Sequence, residues 1–212
     1  LAGVVRVDVS DNGEGIDKQG LSETFQRFKQ LKNKAKFSTK GFGLGLNIAQ
    51  ELVELNFGDL TVDSKVGHGT TFSFTIPLNS PTVVMQRYLE RVNLLRGSSK
   101  CIALVHAQVP ESVSQTELRD ADSFFNCQLR QNDLLFRISN RDWIFVLAIP
   151  QLESGDFQER LQSEWQKANR NRPFGPIPPF TLIPNGCWKV CDNQPAISAA
   201  FKQLMELDFV AV

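Results

Sequence analysis

Residues 41–46 read GFGLGL and lead directly into apolar residues with helical spacing, Leu44, Ile48, Leu52 and Leu55. This spacing predicts an amphipathic helix that ends at Gly58. Glycines let a backbone approach a phosphate closely, and the start of a helix offers free N–H groups at its positive end. The loop lacks the Gly-Lys-Ser/Thr ending of a Walker loop, and it does not follow a strand as a dinucleotide fingerprint does. Taken alone, it indicates either a phosphate-binding loop or a flexible helix entry.

The segments on both sides of this loop predict further short elements. Val5, Val7 and Val9 alternate with polar residues, which predicts a strand that breaks into a loop, DNGEGI, at residues 11–16. A short helix is predicted over residues 21–31, with Ser22 or a neighbour as its cap. Residues 29–40 hold five lysines and no acid, which favours a mobile basic loop. A strand over residues 60–62, the turn GHG at residues 67–69 and a strand over residues 72–76 follow.

Four segments occur in a fixed order: DNGEGI at 11–16, FQRF at 25–28, GFGLGL at 41–46 and GHGTTF at 67–72. Together they resemble the G1 box, F box, G2 box and terminal hairpin of the ATP-binding domain of sensor histidine kinases. The resemblance covers residues 4–78. Gyrase, the heat-shock chaperone ATPases and the mismatch-repair ATPases share the first loop, but the short basic lid running into GFGLGL is kinase-like. The resemblance implies that residues 1–79 form a partial Bergerat-type ATP-binding α/β sandwich.

The resemblance also implies roles for individual residues. Asp11 would accept a hydrogen bond from the adenine amino group, and a carboxylate offers only acceptors to that donor. Gly13 and Gly15 would let the backbone pass close to the nucleotide, Ile16 would line the adenine pocket, and Thr70 would support Asp11 or an adenine-bound water. The remaining expected contacts are Phe28, Lys40, Gly41, Gly43, Leu44, Gly45 and Leu46, with Lys29 and Lys32 screening phosphate charge. For Asp11 alone the alternative is a turn-forming residue, and for the lysine run it is a solvated loop.

Two parts of the kinase machinery are missing from the chain. The N box, whose Asn holds Mg²⁺, should lie upstream of Val4, and no helix presents a phosphoacceptor histidine. His68 and His106 are interpreted as a turn residue and a strand-end residue. We therefore expect ATP and Mg²⁺ as cofactors but no catalytic residue and no metal ligand here. The chain starts at Leu1 rather than Met, which favours a fragment that cannot autophosphorylate by itself.

The second half, residues 80–212, predicts a further α/β domain. Helices are expected at 82–95, 117–130, 157–169 and 196–207, and strands at 101–107, 134–138, 143–149 and 180–183, with a proline-dense loop at 173–184. Residues 129–143, LRQNDLLFRISNRDW, resemble the signature segment of GGDEF-type diguanylate cyclases. The two signature glycines are replaced and only Asp142 remains of the metal-binding carboxylates, so we expect a degenerate domain without cyclase activity. Arg130 and Asp133 resemble the RxxD site that binds cyclic di-GMP in that family; the alternative is an ordinary Arg–Asp surface pair.

Composition excludes several classes of function. Lys and Arg total 23 and Asp and Glu total 23, so the net charge is zero, which argues against a nucleic-acid partner. The longest apolar run, residues 143–149, is too short to span a bilayer, and no signal peptide opens the chain. None of the four cysteines forms a C-x-x-C pair, which is typical of a reducing compartment. Cys187 and Cys191 could form half a metal site, but structural cysteines are the favoured interpretation.

We interpret the chain as the C-terminal part of a cytoplasmic, bacterial sensor histidine kinase. The resemblance implies two partners, the histidine-containing dimerisation domain of the parent protein and a response regulator, and it allows a homodimer formed through the parent. The main alternative is a non-catalytic signalling scaffold that binds nucleotide or nothing. A serine kinase of the anti-sigma type, which shares the ATP fold but has no phosphoacceptor histidine, is a further alternative.

Overall fold

The computed structural model describes residues 3–25, 44–94, 101–150, 155–170, 172–173 and 175–206. They fall into two compact units, divided between Arg87 and Tyr88. Helices accompany an antiparallel sheet in each unit, which confirms the predicted α/β class. Within the described residues, no helix has the length and apolar character that crossing a membrane requires.

The first unit contains three antiparallel strands in the order β1-β3-β2. Its elements are β1 (Val4–Asp11), α1 (Lys18–Glu23), α2 (Gly45–Leu55), β2 (Leu60–Lys65) and β3 (Gly69–Pro77). A further helix, α3 (Pro81–Leu94), crosses the division between the units. The predicted turn at residues 67–69 joins β2 to β3, where the His68 amide donates to the Lys65 carbonyl at 2.9 Å.

Helix α1 differs from its prediction at both ends. It begins at Lys18 because the Asp17 carboxylate, rather than Ser22, caps it by accepting the Gly20 amide at 2.7 Å. Its last residue is Glu23, eight residues before the expected end, although residues 26–31 lie outside the described residues. An aspartate ahead of the first helical turn was the better cap signal.

The apolar residues of α2 are more exposed than an amphipathic helix would lead one to expect. Ile48, Leu52 and Leu55 are 49%, 55% and 72% exposed, and no residue of α2 is buried. Val5, Val7 and Val9 of β1 are likewise exposed. Periodicity determines which residues share a face, whereas burial depends on the surface that covers that face. The helix prediction is confirmed, but the apolar face of the helix is not buried among the described residues.

The second unit has the order β-α-β-β-α-β, followed by a helix. Its elements are β4 (Cys101–Gln108), α4 (Gln115–Cys127), β5 (Leu134–Arg137), β6 (Asp142–Ile149), α5 (Gly155–Arg170), β7 (Thr181–Lys189) and α6 (Val190–Glu206). All neighbouring strands are antiparallel, in the order β5-β6-β4-β7. The two apolar strands predicted from the sequence, β4 and β6, lie at the centre of this sheet.

Both faces of the central strands are buried. Ala103, Val105 and Ala107 on one face of β4 belong to a core cluster with residues of α4, β6 and α5, whereas Ile102 and Leu104 between them are equally inaccessible. Successive side chains of a strand point to opposite faces, so the sheet is covered on both sides. This explains why these strands are continuous apolar runs rather than alternating ones.

Two elements of the second unit depart from their predictions. Strand β7 continues to Lys189 and includes Pro184, which was assigned to a loop; a proline is tolerated there because β7 lies at the edge of the sheet. Helix α6 begins at Val190, six residues before the predicted start, and has a non-helical residue at Asn193. The kink precedes Pro195 inside the helix, in keeping with the effect of proline on the residues before it.

Candidate functional site

The loop at residues 11–16 begins at the last residue of β1. Asp11 Oδ1 accepts the Gly13 amide at 2.8 Å, which forms the side-chain turn considered as the alternative for Asp11. Within the described residues, its other carboxylate oxygen takes part in no hydrogen bond. Asp11 is exposed, so one oxygen shapes the loop while the other is open to a ligand.

The loop packs tightly on the hairpin formed by β2 and β3. The Gly67 amide donates to the Glu14 carbonyl at 2.8 Å. Gly15 has φ of +71°, and a Cβ there would collide with the Lys65 carbonyl, lying 2.7 Å from its carbon. The glycine is thus required both for a left-handed backbone and for close approach to the hairpin. The first and last of the four motif segments are therefore in direct contact.

Asp11, Thr70 and Ser64 form one row across the three strands. Asp11 lies opposite Thr70 in the pairing of β1 with β3, and Ser64 lies opposite Thr70 in the pairing of β2 with β3. Directly opposed residues of antiparallel strands point to the same face. Thr70 is 6% exposed, and its hydroxyl oxygen lies 2.9 Å from that of Ser64. Ser64 also accepts the Ile16 amide at 2.8 Å, so it ties the loop to the sheet.

The second glycine-rich segment is described only from Leu44. Helix α2 starts at Gly45, and its N-cap residue Leu44 makes no side-chain cap hydrogen bond within the described residues. The start of a helix is its positive end. The Asn47 side chain donates through its Nδ2 to the Phe25 carbonyl at 3.4 Å. The Phe25 ring also meets Phe72 edge to face, with centroids 6.5 Å apart. Phe25, the one described residue of the F box, therefore contacts both the helix and the terminal hairpin.

Several predicted nucleotide contacts lie outside the described residues. These are Phe28, Lys29, Lys32, Lys40, Gly41 and Gly43. Of the other predicted contacts, the structure brings together Asp11, Gly13, Gly15, Ile16 and Thr70. Leu44, Gly45 and Leu46 lie at the start of α2. Within the described residues there is no cluster of three or more His, Cys, Asp or Glu side chains suited to a metal ion.

A separate cavity of about 270 Å³ lies in the second unit beside β6 and α5. Arg130, Asp133 and Arg160 are among its lining residues. Asp133 is 8% exposed, and its two oxygens accept the amides of Arg130 at 2.9 Å and of Ala148 at 3.0 Å. The predicted Arg130–Asp133 pair is therefore joined through the backbone amide of Arg130.

The charges around this cavity perturb one another. Burial raises the pKa of Asp133, against the opposing effect of the two amides and of both arginines. Burial and the neighbouring Arg130 lower the pKa of Arg160. Arg160 Nη2 donates to the Gln128 carbonyl at 3.2 Å, while its Nε is buried without a hydrogen-bond partner among the described residues. The cavity thus has two cationic side chains and two carboxylates on its wall, of which Asp133 is occupied by amides and Asp156 is exposed.

Residues 134–149 form the β5–β6 hairpin. Asp142 Oδ1 lies 2.8 Å from His106 Nε2, and its Oδ2 accepts the Ser139 hydroxyl at 2.6 Å. His106 lies inside β4 and is only 9% exposed, so its assignment as a strand-end residue was wrong. His106 and Asp142 form a part-buried polar pair, which the apolar neighbours of His106 in the sequence do not indicate.

Residues 2–80 match the family described as histidine kinase-, DNA gyrase B-, and HSP90-like ATPase. The first unit carries this ATPase match. The sensor histidine kinase TmoS of Ectopseudomonas mendocina is 41% identical over 75 residues, which are 35% of this chain and 8% of that protein. The adaptive-response sensory kinase SasA of Synechococcus elongatus is 38% identical over 74 residues, or 35% of this chain and 19% of that protein. The sensor histidine kinase WalK of Bacillus subtilis is 41% identical over 71 residues, which are 34% of this chain and 12% of that protein.

The chain spans less than a fifth of the length of these three relatives. Residues 2–80 therefore match an ATPase family, and these three relatives are sensor kinases. They agree with the family inferred from the four ordered motifs.

Two residues that contribute to these sites were not found from the sequence. Ser64 lies on β2 of the ATPase fragment, outside all four motifs, and nothing in its local sequence distinguishes it from other strand serines. Arg160 lies in α5, 30 positions after Arg130 in the chain. Only the tertiary structure relates it to Arg130, because both side chains line one cavity.

Proposed function

We propose that the parent protein is a cytoplasmic sensor histidine kinase and that residues 1–79 form most of its ATP-binding domain. The parent reaction transfers the γ-phosphoryl group of ATP to a histidine outside this chain, and from there to an aspartate of a response regulator. The other partner is the dimerisation domain that carries the histidine. Residues of this chain bind and orient the nucleotide, and none of them is assigned a catalytic step.

The observation that carries this proposal is the position of Asp11. Its carboxylate ends β1 with one oxygen engaged by the Gly13 amide and the other open, beside the loop that continues to Ile16. A carboxylate accepts but does not donate hydrogen bonds, so the open oxygen suits the amino group of adenine. Thr70 lies opposite Asp11 on the same face of the sheet, where it can support this contact.

The phosphates are assigned to the start of α2. We infer that Gly41, Gly43 and Gly45 let the backbone approach the phosphates, that the first amides of α2 face their charge, and that Lys40 screens it. Phe28, Leu44 and Leu46 are assigned to the walls of the nucleotide site. Mg²⁺, which would neutralise charge on the phosphates, is assigned to the Asn of an N box upstream of Val4, so no residue of this chain is given to the metal.

Titration of the chain with a non-hydrolysable ATP analogue tests the proposal. We expect weak binding by this chain and tighter binding by the parent protein. Asp11→Ala should lower affinity at least tenfold, because a hydrogen bond to a charged group contributes about 1.5–3 kcal/mol and about 1.4 kcal/mol corresponds to a tenfold change in affinity. Asp63→Ala is the matched control, since Asp63 is an exposed carboxylate on the same sheet. Unchanged affinity of the parent on Asp11→Ala would reject the adenine contact. Absence of binding by the parent itself would favour the non-catalytic scaffold.

For residues 80–212 we propose a degenerate GGDEF-like regulatory domain that retains a site for cyclic di-GMP. Asp133 is occupied by two amides, so Arg130 and Arg160 are the groups left to bind a phosphate or guanine edge. The observation that favours this second function is that both arginines line one cavity. Loss of clustered carboxylates at the signature argues against two-metal chemistry on GTP.

Two measurements test the role of this domain. Incubation with GTP and Mg²⁺ or Mn²⁺ should yield no cyclic di-GMP, and detectable turnover would refute the assignment of a degenerate cyclase. Calorimetry with cyclic di-GMP should give binding that either Arg130→Ala or Arg160→Ala abolishes. Arg119→Ala is the control, because Arg119 is exposed on α4 and does not line this cavity. If the unmodified chain binds no cyclic di-GMP, the arginines have a structural role only.

A further inference from the structure

The Ser64 hydroxyl is contacted on three sides. It accepts the Ile16 amide at 2.8 Å, donates to the Gly69 carbonyl at 2.8 Å and lies 2.9 Å from the Thr70 hydroxyl. These contacts join the loop that follows β1 to the two strands of the hairpin. Ser64 therefore holds a junction of the candidate nucleotide site without belonging to any of the four motifs.

Only one placement of the protons satisfies all three contacts. A serine hydroxyl has one proton and two lone pairs. The Gly69 carbonyl has no proton to offer, so the Ser64 proton must lie between these two oxygens. The Ile16 amide occupies one Ser64 lone pair. The remaining lone pair accepts the Thr70 proton, because otherwise two hydroxyl oxygens 2.9 Å apart would face each other without a proton between them.

This placement determines what Thr70 can offer a ligand. Its only proton is directed to Ser64, so its oxygen is left with lone pairs alone and acts as an acceptor. Asp11, directly opposite Thr70, is also an acceptor when ionised. Thr70 is 6% exposed, so bulk water cannot readily supply a hydrogen bond that a ligand fails to make with its hydroxyl. The row of Asp11, Thr70 and Ser64 therefore presents acceptors without donors.

We propose that Ser64 determines base specificity by keeping Thr70 an acceptor, so that the site selects adenine over guanine. This inference rests on the nucleotide-binding function proposed above. Adenine carries an amino donor where guanine carries a carbonyl acceptor. Acceptors on the protein, directly or through one water, match the amino group and leave the guanine carbonyl unpaired. Ser64 acts through Thr70 and is a positioning residue.

The test compares affinities of the chain for a non-hydrolysable ATP analogue and its guanine counterpart. The wild-type chain should prefer the adenine analogue. Ser64→Ala releases the Thr70 proton, so guanine affinity should rise relative to adenine and selectivity should fall by about fivefold to tenfold, the equivalent of one neutral hydrogen bond. Ser64→Thr keeps a hydroxyl at this position and should restore most of the selectivity.

Ser10→Ala is the matched control. Ser10 and Thr71 form a hydroxyl pair of the same length, 2.9 Å, one residue away on the opposite face of the sheet. Removing it should leave selectivity unchanged. If Ser64→Ala leaves the ratio of adenine to guanine affinity as in the wild type, even when both affinities fall, Ser64 has only a structural role. The inference is then wrong, while nucleotide binding stands. If the wild-type chain and the parent bind neither analogue, the proposed function fails and the inference fails with it.

Thr70→Val provides a second, independent variant should Ser64→Ala not fold. Valine preserves the branched shape but has no acceptor, so adenine affinity should fall without a gain in guanine affinity. Unchanged selectivity in Thr70→Val would overturn the inference regardless of the behaviour of the Ser64 variants.

Discussion

Replacing Gly15 with alanine should separate the loop at residues 11–16 from the β2–β3 hairpin. Two effects add at this position. The backbone has φ of +71°, and the new methyl group would collide with the Lys65 carbonyl. Gly67 provides a matched control, because its φ is +80° but a Cβ there would meet nothing within 4 Å. The two variants share the cost of the left-handed backbone and differ in the collision.

The left-handed conformation costs an alanine about 1–2 kcal/mol, and this is the whole expected cost of Gly67→Ala. In Gly15→Ala the neighbouring group is backbone, which cannot turn away as a flexible side chain can. Forcing extra volume into a packed site typically costs about 1–3 kcal/mol. We therefore expect Gly15→Ala to destabilise the first unit by about 2–5 kcal/mol and Gly67→Ala by only about 1–2 kcal/mol.

Hydrogen exchange is the suitable measurement because all three tryptophans and the single tyrosine lie at or after Tyr88, so intrinsic fluorescence does not report on the first unit. Peptides covering β2 and β3 should lose more protection in Gly15→Ala than in Gly67→Ala. Nucleotide affinity should fall in the same order. Equal losses of protection in the two variants would show that the collision with the Lys65 carbonyl has no energetic weight, which would refute the reasoning.

Three further predictions concern the second unit. Phe125 is fully buried, with its ring centroid 5.1 Å from that of Trp143. Phe125→Ala should therefore lower the free energy of unfolding by about 3–5 kcal/mol, measured by urea unfolding followed by tryptophan fluorescence. The exposed control Arg119→Ala should change it by less than about 0.5 kcal/mol, and similar values for the two variants would contradict the prediction. Asp133→Ala leaves two amides without their acceptor and should cost about 2–4 kcal/mol in the same assay, whereas a loss below about 1 kcal/mol would mean that water replaces the carboxylate. The Ser114 hydroxyl and amide lower the pKa of Glu117 from 4.5. The stabilising contribution of Glu117 is therefore present above pH 4.5 and is lost as the pH falls through the lowered pKa. Below pH 4.5 the melting temperature of Ser114→Ala should decline less steeply than that of the wild type, and parallel declines would contradict this.

Much of the local structure could be predicted from short stretches of sequence. The continuous apolar runs of β4 and β6 and the helical spacing of α5 were recognisable because each pattern is contained within one element. The turn at residues 67–69 was recognisable because glycine is needed for its left-handed backbone. The ends of the helices and strands were less predictable. Asp17 rather than Ser22 caps α1. Pro184 lies within β7, where it is tolerated because that strand is at a sheet edge.

The candidate sites also contain residues that could be predicted from the sequence and residues that could not. Asp11, Gly13, Gly15 and Thr70 belong to motifs in a fixed order, so the sequence by itself indicated the ATPase family that residues 2–80 match and the residues proposed to contact a nucleotide. Ser64 was absent from that list because its importance comes from its register opposite Thr70, which two strands establish together.

Only the tertiary structure decided which distant groups meet. It relates Arg160 to Arg130 across one cavity, pairs His106 with Asp142, and leaves the apolar side of α2 exposed among the described residues. The physical reason is the separation along the chain between the residues that interact. Periodicity, caps and turns arise from interactions within a few residues, whereas register, burial and the protonation state of a hydroxyl depend on partners brought together by packing.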